Sequence, residues 1–437
     1  MNFILPLLYF ILFTCILYRH PFFKKTQLPF WILAGIFILK IISSGIMYWI
    51  YTNYYPVRIE ADIFKYFDDA KIIYSSLEHS VSHFFKLLFY DTNSHPELDT
   101  YYNALSFWKR EIDYGLGNDN RTIIKINALI MLFSFGNIWV HNVCAGFISI
   151  FSYILLYKTI RSFNPKLNYF LFISIVLIPS GFFWTSAMLK ETIVMLGLAC
   201  YVYGFITAIK NHKHVWAWIS LIFGIYILLH IKIYVLAALL PASLAYFVAH
   251  KITQKRVIYM YLITILIIVI GIIINNTYLH AIPILETFAH KRNDFIMDAA
   301  YYAHAQSYIP IGMLGTDIMS FIKETPFALY RATFLPWIFN SNSMIAIIPA
   351  LENFLLLILI ILACFFHRKT TRYEQNIIWF SCFFSITLLW IIGITTPVVG
   401  AIVRYKIPIF PFLYSIFVLI IDWQKIRFVR TNENKII

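Results

Sequence analysis

The stretch VIYMYLITILIIVIGIII, from Val257 to Ile274, contains no charged side chain and is long enough for an α-helix to cross a bilayer core of about 30 Å. Similar runs recur along the chain, including ILPLLYFILFTCILY at Ile4–Tyr18 and FLLLILIILACFF at Phe354–Phe366. The alternating pattern that is typical of membrane β-barrels is absent from the sequence. Because helices and closed barrels are the structures that can span a bilayer, the sequence predicts an all-α polytopic membrane protein.

The overall composition agrees with this prediction. The chain has 437 residues, of which 60% are hydrophobic, 19% aromatic and 13% charged, and its mean hydropathy is +0.73. These values exclude an ordinary soluble domain. The five cysteines lie within apolar runs and form no CxxC motif, so neither a disulfide framework nor a thiolate metal site is indicated.

The net charge of +14 is concentrated in short segments between the apolar runs. We assign six of these segments to the cytoplasmic side: residues 19–27, 158–166, 210–213, 251–256, 367–372 and the tail from Asp422. Together with the adjoining Glu374, they hold eighteen of the 35 lysines and arginines but only three of the 21 acidic residues. Short basic loops on one side are the positive-inside signature of membrane proteins, which explains the excess charge without a nucleic-acid partner.

The arrangement that places every basic segment in the cytoplasm has about eleven transmembrane helices, with the N-terminus outside and the C-terminus inside. The predicted spans are residues 2–18, 29–51, 137–160, 167–180, 187–208, 215–230, 232–250, 257–275, 345–366, 375–394 and 405–422. We expect a single transmembrane domain, 1–437, with two large outer loops, 52–136 and 276–344. Residues 121–136 are predicted to form an interfacial helix on the membrane surface. Long structured loops usually carry function.

The first outer loop contains the acidic stretch EADIFKYFDDA, from Glu60 to Ala70. At about 100° per residue, Asp62, Tyr66 and Asp69 lie along one side of a helix, next to an apolar face. A carboxylate beside a low-dielectric surface has a raised pKa and can act as a general base. Such acids could also help to hold a divalent cation. The alternative is a solvated helix face whose acids only favour the first turn.

Ionisable residues also occur near the predicted outer ends of the helices. Lys190 and Glu191 lie inside an apolar span, where charged groups are costly and often functional. We expect them to line a polar cleft in which Lys190 meets a lipid phosphate, although Lys190 could instead anchor its helix at the interface. His230 and Lys232 lie at the turn between two predicted helices.

Two further cations are predicted to face the same side of the membrane. Arg331 lies in the second outer loop, and Arg404 with Tyr405 opens the last predicted helix. A phosphate leaving group needs cations that stay charged and donate to its oxygens, which suits arginine and lysine. The alternative for each of these residues is anchoring at the membrane interface, a common role of Lys, Arg and Tyr.

Three stretches resemble a known superfamily. They are the Asp-x-x-x-Tyr pattern at Asp62–Tyr66, IPSGFFWTSAMLKET at Ile178–Thr192 and RYKIPIFPF at Arg404–Phe412. Each is similar to a motif of bacterial membrane proteins of the GT-C superfamily, the polytopic glycosyltransferases, or of polysaccharide-polymerase type. The resemblance implies a GT-C-like fold with membrane-parallel helices in the first outer loop. It also implies that an acid in this loop deprotonates the acceptor, with Asp62 as the first candidate and Asp69 and Glu60 as the next.

This resemblance implies a hexosyl or pentosyl transferase of the bacterial inner membrane, acting at its outer face. The donor would be a polyprenyl-phosphate-linked sugar, the acceptor a glycan or glycolipid, and the other partners membrane lipids. Lys190, Lys232 and Arg404 would stabilise the departing phosphate. The remaining candidates for substrate binding are Tyr66, Glu191, His230, Arg331 and Tyr405. The alternatives are a polysaccharide or O-antigen repeat-unit polymerase, a transporter or flippase for lipid-linked oligosaccharides, and a non-catalytic scaffold.

Overall fold

Helices joined by short segments make up the described part of the chain in a computed structural model. The structure describes residues 3–53, 57–58, 61–90, 95–108, 118–252, 257–279, 281–302, 305–340 and 344–426. In chain order, the helices are α1 (Ile4–Arg19), α2 (Pro21–Lys24), α3 (Phe30–Asn53), α4 (Asp62–Ser75), α5 (Val81–Phe89), α6 (Asp99–Ala104), α7 (Asp119–Ser134), α8 (Ile138–Arg161), α9 (Asn168–Val176), α10 (Pro179–Trp184), α11 (Lys190–Lys210), α12 (Val215–Ile231), α13 (Ile233–Ile252), α14 (Val257–Ile274), α15 (Ile284–Met297), α16 (Ile318–Phe334), α17 (Met344–Phe365), α18 (Arg372–Thr395), α19 (Val399–Tyr405) and α20 (Phe410–Ile420).

Eight helical segments in these ranges are long and apolar enough to cross a membrane. They are Phe30–Asn53, Ile138–Arg161, Lys190–Lys210, Ile233–Lys251, Val257–Leu279, Ala346–Phe365, Arg372–Thr395 and Val399–Ile420. Each coincides with a predicted span, so the prediction of a multi-pass all-α membrane protein is confirmed. The last of them is not one continuous α-helix, since a 3₁₀ turn at Ile407–Ile409 separates α19 from α20.

The three other predicted crossings coincide with shorter apolar helices, Ile4–Arg19, Pro165–Val176 and Val215–Ile231. The count of eleven crossings therefore stays a prediction. The span predicted at 167–180 is interrupted, because α9 ends at Val176 and α10 begins at Pro179. Proline has no N–H to donate and disfavours the helical conformation of the residue before it, which explains the break.

The chain forms two compact units. The first contains Met1–Lys158 and Phe182–Ile233, and the second contains Thr159–Gly181 and Tyr234–Ile437. The segment predicted as the first outer loop, 52–136, belongs to the first unit, and the segment predicted as the second, 276–344, belongs to the second unit. The placement of helices α4 to α7 in the first loop agrees with the expectation that this loop is helical.

A buried core in the first unit fixes the start of two helices. Its members are Met47, Tyr51, Ala61, Ile63, Phe64, Ala187 and Leu189. Ile63 and Phe64 directly follow Asp62, and Leu189 directly precedes Lys190. Because these apolar neighbours are packed together, the first residues of α4 and α11 are held near the same core.

Lys40 lies fully buried in the middle of α3 and binds the end of a neighbouring helix in the same unit. Its Nζ donates to the carbonyl oxygen of Phe182 at 2.6 Å and to Oγ1 of Thr185 at 2.8 Å. The Phe182 carbonyl belongs to the last turn of α10, where it has no partner within the helix. Lys40 therefore caps this helix end, and the positive charge is favourable there because of the helix dipole.

In the first unit, α11 and α12 pack with their backbones in close contact. A Cβ atom at Gly224 would lie 2.6 Å from the carbonyl oxygen of Gly197, and one at Gly204 would lie 2.5 Å from that of Ala217. Small residues let membrane helices approach this closely and gain dispersion contacts. By contrast, a Cβ at Gly45 of α3 would meet nothing within 4 Å.

The second unit contains a comparable contact between α16 and α18, where the carbonyl of Ala328 leaves no room for a Cβ at Gly393. A core around this contact includes Leu285, Ala289, Leu314, Phe321, Ala328 and Ile394. It joins α15 and α16 of the second outer loop to the transmembrane helix α18. The polar residues of this loop are therefore held on a packed support.

The close contact between α11 and α12 predicts that the same substitution, glycine to alanine, changes stability in opposite directions at Gly224 and at Gly45. Gly224→Ala should destabilise the protein by about 1–3 kcal/mol, because the new methyl group overpacks a backbone contact. Gly45→Ala should be neutral or stabilising by up to about 1 kcal/mol, since alanine favours the helix and meets open space. Thermal unfolding of both variants in detergent checks this, and a Gly224→Ala variant as stable as the Gly45→Ala variant would contradict the packing.

Candidate functional site

The acidic residue Asp62 is the first residue of α4 and lies at the edge of the first unit's core. Its carboxylate forms an ion pair with Lys65, one turn later on the same helix. The two side chains are only 15% and 19% exposed, so the pair is sheltered from water. Lys65 Nζ also lies 5.4 Å from the centre of the Tyr66 ring and 5.1 Å from that of Phe107.

Lys190 is the first residue of α11 and is directed toward the start of α7. Its Nζ lies 2.8 Å from Oδ2 of Asp119 and donates to Oδ1 of Asn120 at 2.6 Å. The Tyr66 ring centre is 5.0 Å away, within the range of a cation–π contact. A lysine at a helix N-terminus is disfavoured by the helix dipole, and burial disfavours it further. These partners offset both costs.

Lys232 approaches the same carboxylate from another direction. It follows the last residue of α12, and its Nζ lies 3.5 Å from Oδ2 of Asp119. One carboxylate oxygen therefore serves two ammonium groups. Burial opposes ionisation of Asp119, but the charges of Lys232 and Lys190 outweigh it and hold the pKa of this carboxyl below its usual value.

The site brings three lysines together with two carboxylates. Lys65 pairs with Asp62, and Lys190 and Lys232 both contact Asp119. Asp62 is also close enough to Lys190 to interact with it electrostatically. The structure therefore brings the predicted base, Asp62, together with Tyr66, Lys190 and Lys232 of the predicted substrate site. An arrangement of this kind can hold an oxyanion next to a carboxylate.

Asp69 has a different environment from Asp62, although both lie on α4. Its carboxylate accepts hydrogen bonds from the backbone N–H groups of Ser106 at 3.0 Å and Phe107 at 2.8 Å. Burial raises the pKa of Asp69 against the opposing effect of these bonds. The side chain is 3% exposed and holds the segment after α6 against α4. Asp68 is paired with Arg58 at 2.7 Å, whereas the helical spacing favours Lys65 or Lys71 as its partner.

The other predicted residues of the first unit have separate positions. Glu191 is buried in the first turn of α11, where the helix dipole favours an acid. The His230 ring packs on Tyr226, and its Nδ1 lies 2.9 Å from the Tyr226 carbonyl oxygen. The His230 carbonyl oxygen accepts from Oγ1 of Thr122 at 3.4 Å, which links the end of α12 to α7. Glu60 lies outside the described residues.

Three predicted residues belong to the second unit. Arg331 of α16 forms an ion pair with Glu324 and contacts the carbonyl of Gly393. Arg404 and Tyr405 end α19, and the Tyr405 ring lies 5.8 Å from that of Tyr234. The structure thus places these three side chains in a unit other than that of Asp62 and Lys190.

Asp119 and Asn120 are the site residues that the sequence analysis missed. The predicted interfacial helix begins at residue 121, whereas α7 begins at Asp119. An acidic residue in the first turn is a signal for the start of a helix, so Asp119 could have moved the predicted start from residue 121 to residue 119. The ion pair itself could not be foreseen, because Asp119 and Lys190 are far apart in the chain and no local pattern joins them.

A second polar cluster of the first unit resembles a catalytic triad in composition but is closed to solvent. His141 lies 2.8 Å from both Oδ1 of Asn127 and Oγ of Ser134. All three side chains are at most 2% exposed. The cluster ties α7 to α8, and its burial gives a substrate no access to the serine.

The described ranges contain no group of three or more His, Cys, Asp or Glu side chains that could hold a metal ion. Asp62 and Asp119 each have lysine partners, which compete with a cation for the carboxylate oxygens.

Comparison with known proteins does not identify a family. No protein-family model matches the chain, no characterised protein is significantly similar to it, and no solved structure matches it. The likeness to the GT-C superfamily therefore stays a prediction that depends on the three sequence stretches.

The shared carboxylate predicts strong coupling between Asp119 and Lys190. Asp119→Asn should destabilise the protein by about 1–3 kcal/mol at pH 7, because it removes the negative charge that both lysines contact. Adding Lys190→Met should recover part of this loss, giving a coupling energy of about 0.5–3 kcal/mol in a double-mutant cycle. Unfolding midpoints of the four proteins in detergent measure this effect.

The same comparison has a defined pH dependence. Because the pKa of Asp119 is lowered by folding, its contribution to stability is fully present above the unfolded pKa of about 3.9 and is lost as the pH falls through the lower folded value. The difference between the wild type and Asp119→Asn should therefore be constant from pH 5 to 7, within about 0.5 kcal/mol. Additive effects of the two substitutions would contradict the ion-pair assignment.

Proposed function

We propose that this protein is an integral-membrane glycosyltransferase that transfers a sugar from a polyprenyl-phosphate-linked donor to a glycan or glycolipid acceptor. In this proposal the protein lies in the bacterial inner membrane, with the site at the outer face, the N-terminus outside and the C-terminus in the cytoplasm. The observation that carries the proposal is that Asp62 and Lys190 interact electrostatically beside the Tyr66 ring, while Lys190 and Lys232 both contact Asp119.

Asp62 would act as the general base. Its carboxylate would accept the proton of an acceptor hydroxyl, and the oxygen would then attack the anomeric carbon of the donor sugar. The bond between this carbon and the phosphate oxygen would break at the same time, leaving both bonding electrons on the phosphate. Protons and charge are balanced, since the proton ends on Asp62 and the negative charge on the lipid phosphate.

Lys190 and Lys232 would stabilise that negative charge as it develops. Both ammonium groups contact a single oxygen of Asp119, so one phosphoryl group has the size needed to contact both. Preorganised cations in a water-poor site are the largest contribution to many such reactions. Glu191 follows Lys190 on α11, Asn120 of α7 accepts a hydrogen bond from Lys190, and His230 lies two residues before Lys232, so these residues are suited to positioning the lysines.

The candidates of the second unit enter this proposal through the sequence resemblance. By this resemblance, Arg404 and Tyr405 stay candidates for binding a substrate phosphate, to which an arginine can donate two hydrogen bonds. Arg331 is a further candidate for the phosphate or for an acidic group of the acceptor. The buried ring of Tyr66, next to two lysines, is suited to holding Lys65 and Lys190 toward a bound substrate.

Two alternatives have a specific observation in their favour. A repeat-unit polymerase acting on lipid-pyrophosphate would depend on arginines of the outer loops, and Arg331 with Arg292 forms such a pair in the second unit. A transporter or flippase would carry charges within its spans, and Lys40 is buried in α3. Lys40 binds the backbone end of a helix, however, which already accounts for its position.

The base assignment predicts different results for two aspartates of the same helix. Asp62→Asn should lower the rate of transfer by about 10²–10⁴-fold, because the variant cannot accept the proton. The matched control Asp68→Asn should retain activity, since Asp68 is paired with Arg58 away from the cluster. The measurement is the ratio of lipid-linked donor to glycan product in cells that carry each variant in place of the wild type.

Unchanged glycans in Asp62→Asn cells, at normal protein levels, would reject the transferase proposal. Shortened polymers in Arg331→Gln cells together with normal glycans in Asp62→Asn cells would favour the polymerase. Trapping of complete lipid-linked glycans on the cytoplasmic face in either variant would favour the flippase.

A further inference from the structure

In the second unit, two arginines share one carboxylate. Nη1 of Arg292, on α15, donates to Oε1 of Glu324 at 2.9 Å, and Nη2 of Arg331 donates to the same oxygen. Arg292 also donates Nε and Nη2 to the carbonyl oxygen of Gly312, at 3.1 and 2.7 Å, which fixes it to the loop before α16. Arg292 is therefore held from two sides, whereas Arg331 is held at one end of its guanidinium.

The charges of this cluster do not balance. Arg292 and Arg331 are 2% and 11% exposed, and the single carboxylate between them is 21% exposed. A positive charge that is mostly buried and lacks a counter-charge is costly. Burial opposes ionisation of Glu324, but hydrogen bonds from Arg331 and Arg292 outweigh it and lower the pKa of this carboxyl. Glu324 is thus ionised at neutral pH, and its single negative charge neutralises only one of the two arginines.

Arg331 has a donor that the described part of the chain does not use. Its Nε is buried and has no hydrogen-bond partner there. Guanidinium groups bind oxyanions through two parallel N–H donors, and Nε is commonly one of the two. The unused donor lies in the cluster that carries the excess positive charge, so both observations point to an oxyanion as the missing partner.

The surroundings of Arg331 indicate that this oxyanion belongs to a lipid. The exposed residues Met319, Ile322, Phe327 and Tyr330 form an apolar stripe along α16, which the exposed Lys323 interrupts. At about 100° per residue, Glu324 and Arg331 lie at the boundary between this stripe and the buried face of Phe321 and Ala328. An exposed apolar stripe on a helix that carries charge along its edge is typical of a helix in the lipid headgroup region.

We propose that Arg331, supported by Arg292 and Glu324, binds the phosphate group of a membrane lipid. The phosphate lies on the Nε edge of Arg331, and the acyl or prenyl chain lies along the apolar stripe of α16. Glu324 limits the excess positive charge of the two arginines to one. This proposal goes beyond the proposed function, because the binding does not depend on whether a sugar is transferred.

The test measures lipid binding by the full-length protein in neutral detergent. The probes are a short-chain phosphatidic acid, the diacylglycerol with the same chains, and inorganic phosphate. The wild type should bind the phosphatidic acid and unfold at a higher temperature in its presence. Arg331→Gln should weaken this binding at least tenfold, while Arg372→Gln, at an exposed arginine of the same unit, should leave it unchanged.

A second variant keeps the test independent of folding defects. Glu324→Gln removes the carboxylate that competes with the lipid phosphate, so this variant should bind phosphatidic acid more tightly than the wild type does. The lipid should also raise the unfolding temperature of the variant more than it raises that of the wild type. Equal binding by the wild type and Arg331→Gln would overturn the proposal, as would equal binding of diacylglycerol. Inorganic phosphate that binds as tightly as the lipid would overturn the assignment to a lipid.

Discussion

A helix end that lies in an apolar interior leaves backbone groups without partners, and buried side chains supply them in both units. In the first unit, Lys40 donates to the last turn of α10. In the second unit, Asn353 donates to the carbonyls of Phe334 and Pro336, and Lys406 donates to that of Leu335, where α16 ends. Lys40 and Lys406, which are charged residues inside membrane spans, therefore lie where a neighbouring helix ends and needs hydrogen-bond donors.

The candidate site also places a buried charge at a helix end, but here the charge has the sign that the helix dipole disfavours. α11 begins at Lys190, so a cation occupies the end of the helix where the dipole favours an anion. Asp119 and Asn120 offset this conflict, since they bring a carboxylate and an amide oxygen to the ammonium group. A local rule is broken at this position at a cost to stability, and such violations are expected at functional sites. Lys190 is in this respect unlike Lys40, which the helix dipole favours.

The sequence predicted the transmembrane character well, because an uncharged apolar run of about twenty residues is rarely anything but a membrane-spanning helix. It also placed Asp62 and Tyr66 on one helix, because α4 is amphipathic and its period is visible locally. Asp119 was missed, since the basic helix pattern is already complete from Arg121 onward and the contact with Lys190 is formed only by the fold. The helix after the predicted break was expected from residue 187 but begins at Lys190, because Ala187 and Leu189 match the pattern of an apolar helix while tertiary packing holds them in the core.

Both units contain two cations on a single carboxylate, but the cations differ, and this difference bears on function. Lysine is a compact charge on a flexible stem, so Lys190 and Lys232 can move from Asp119 to a phosphate without a change in the backbone. In the proposed reaction, such lysines would gain most as charge develops on the leaving group, which favours the transition state over the bound donor. Arg331 is instead held by Glu324, which Arg292 also contacts, and its planar guanidinium suits a phosphate that is present throughout. The first cluster is therefore suited to a charge that appears during a reaction, and the second to a charge that a lipid carries permanently.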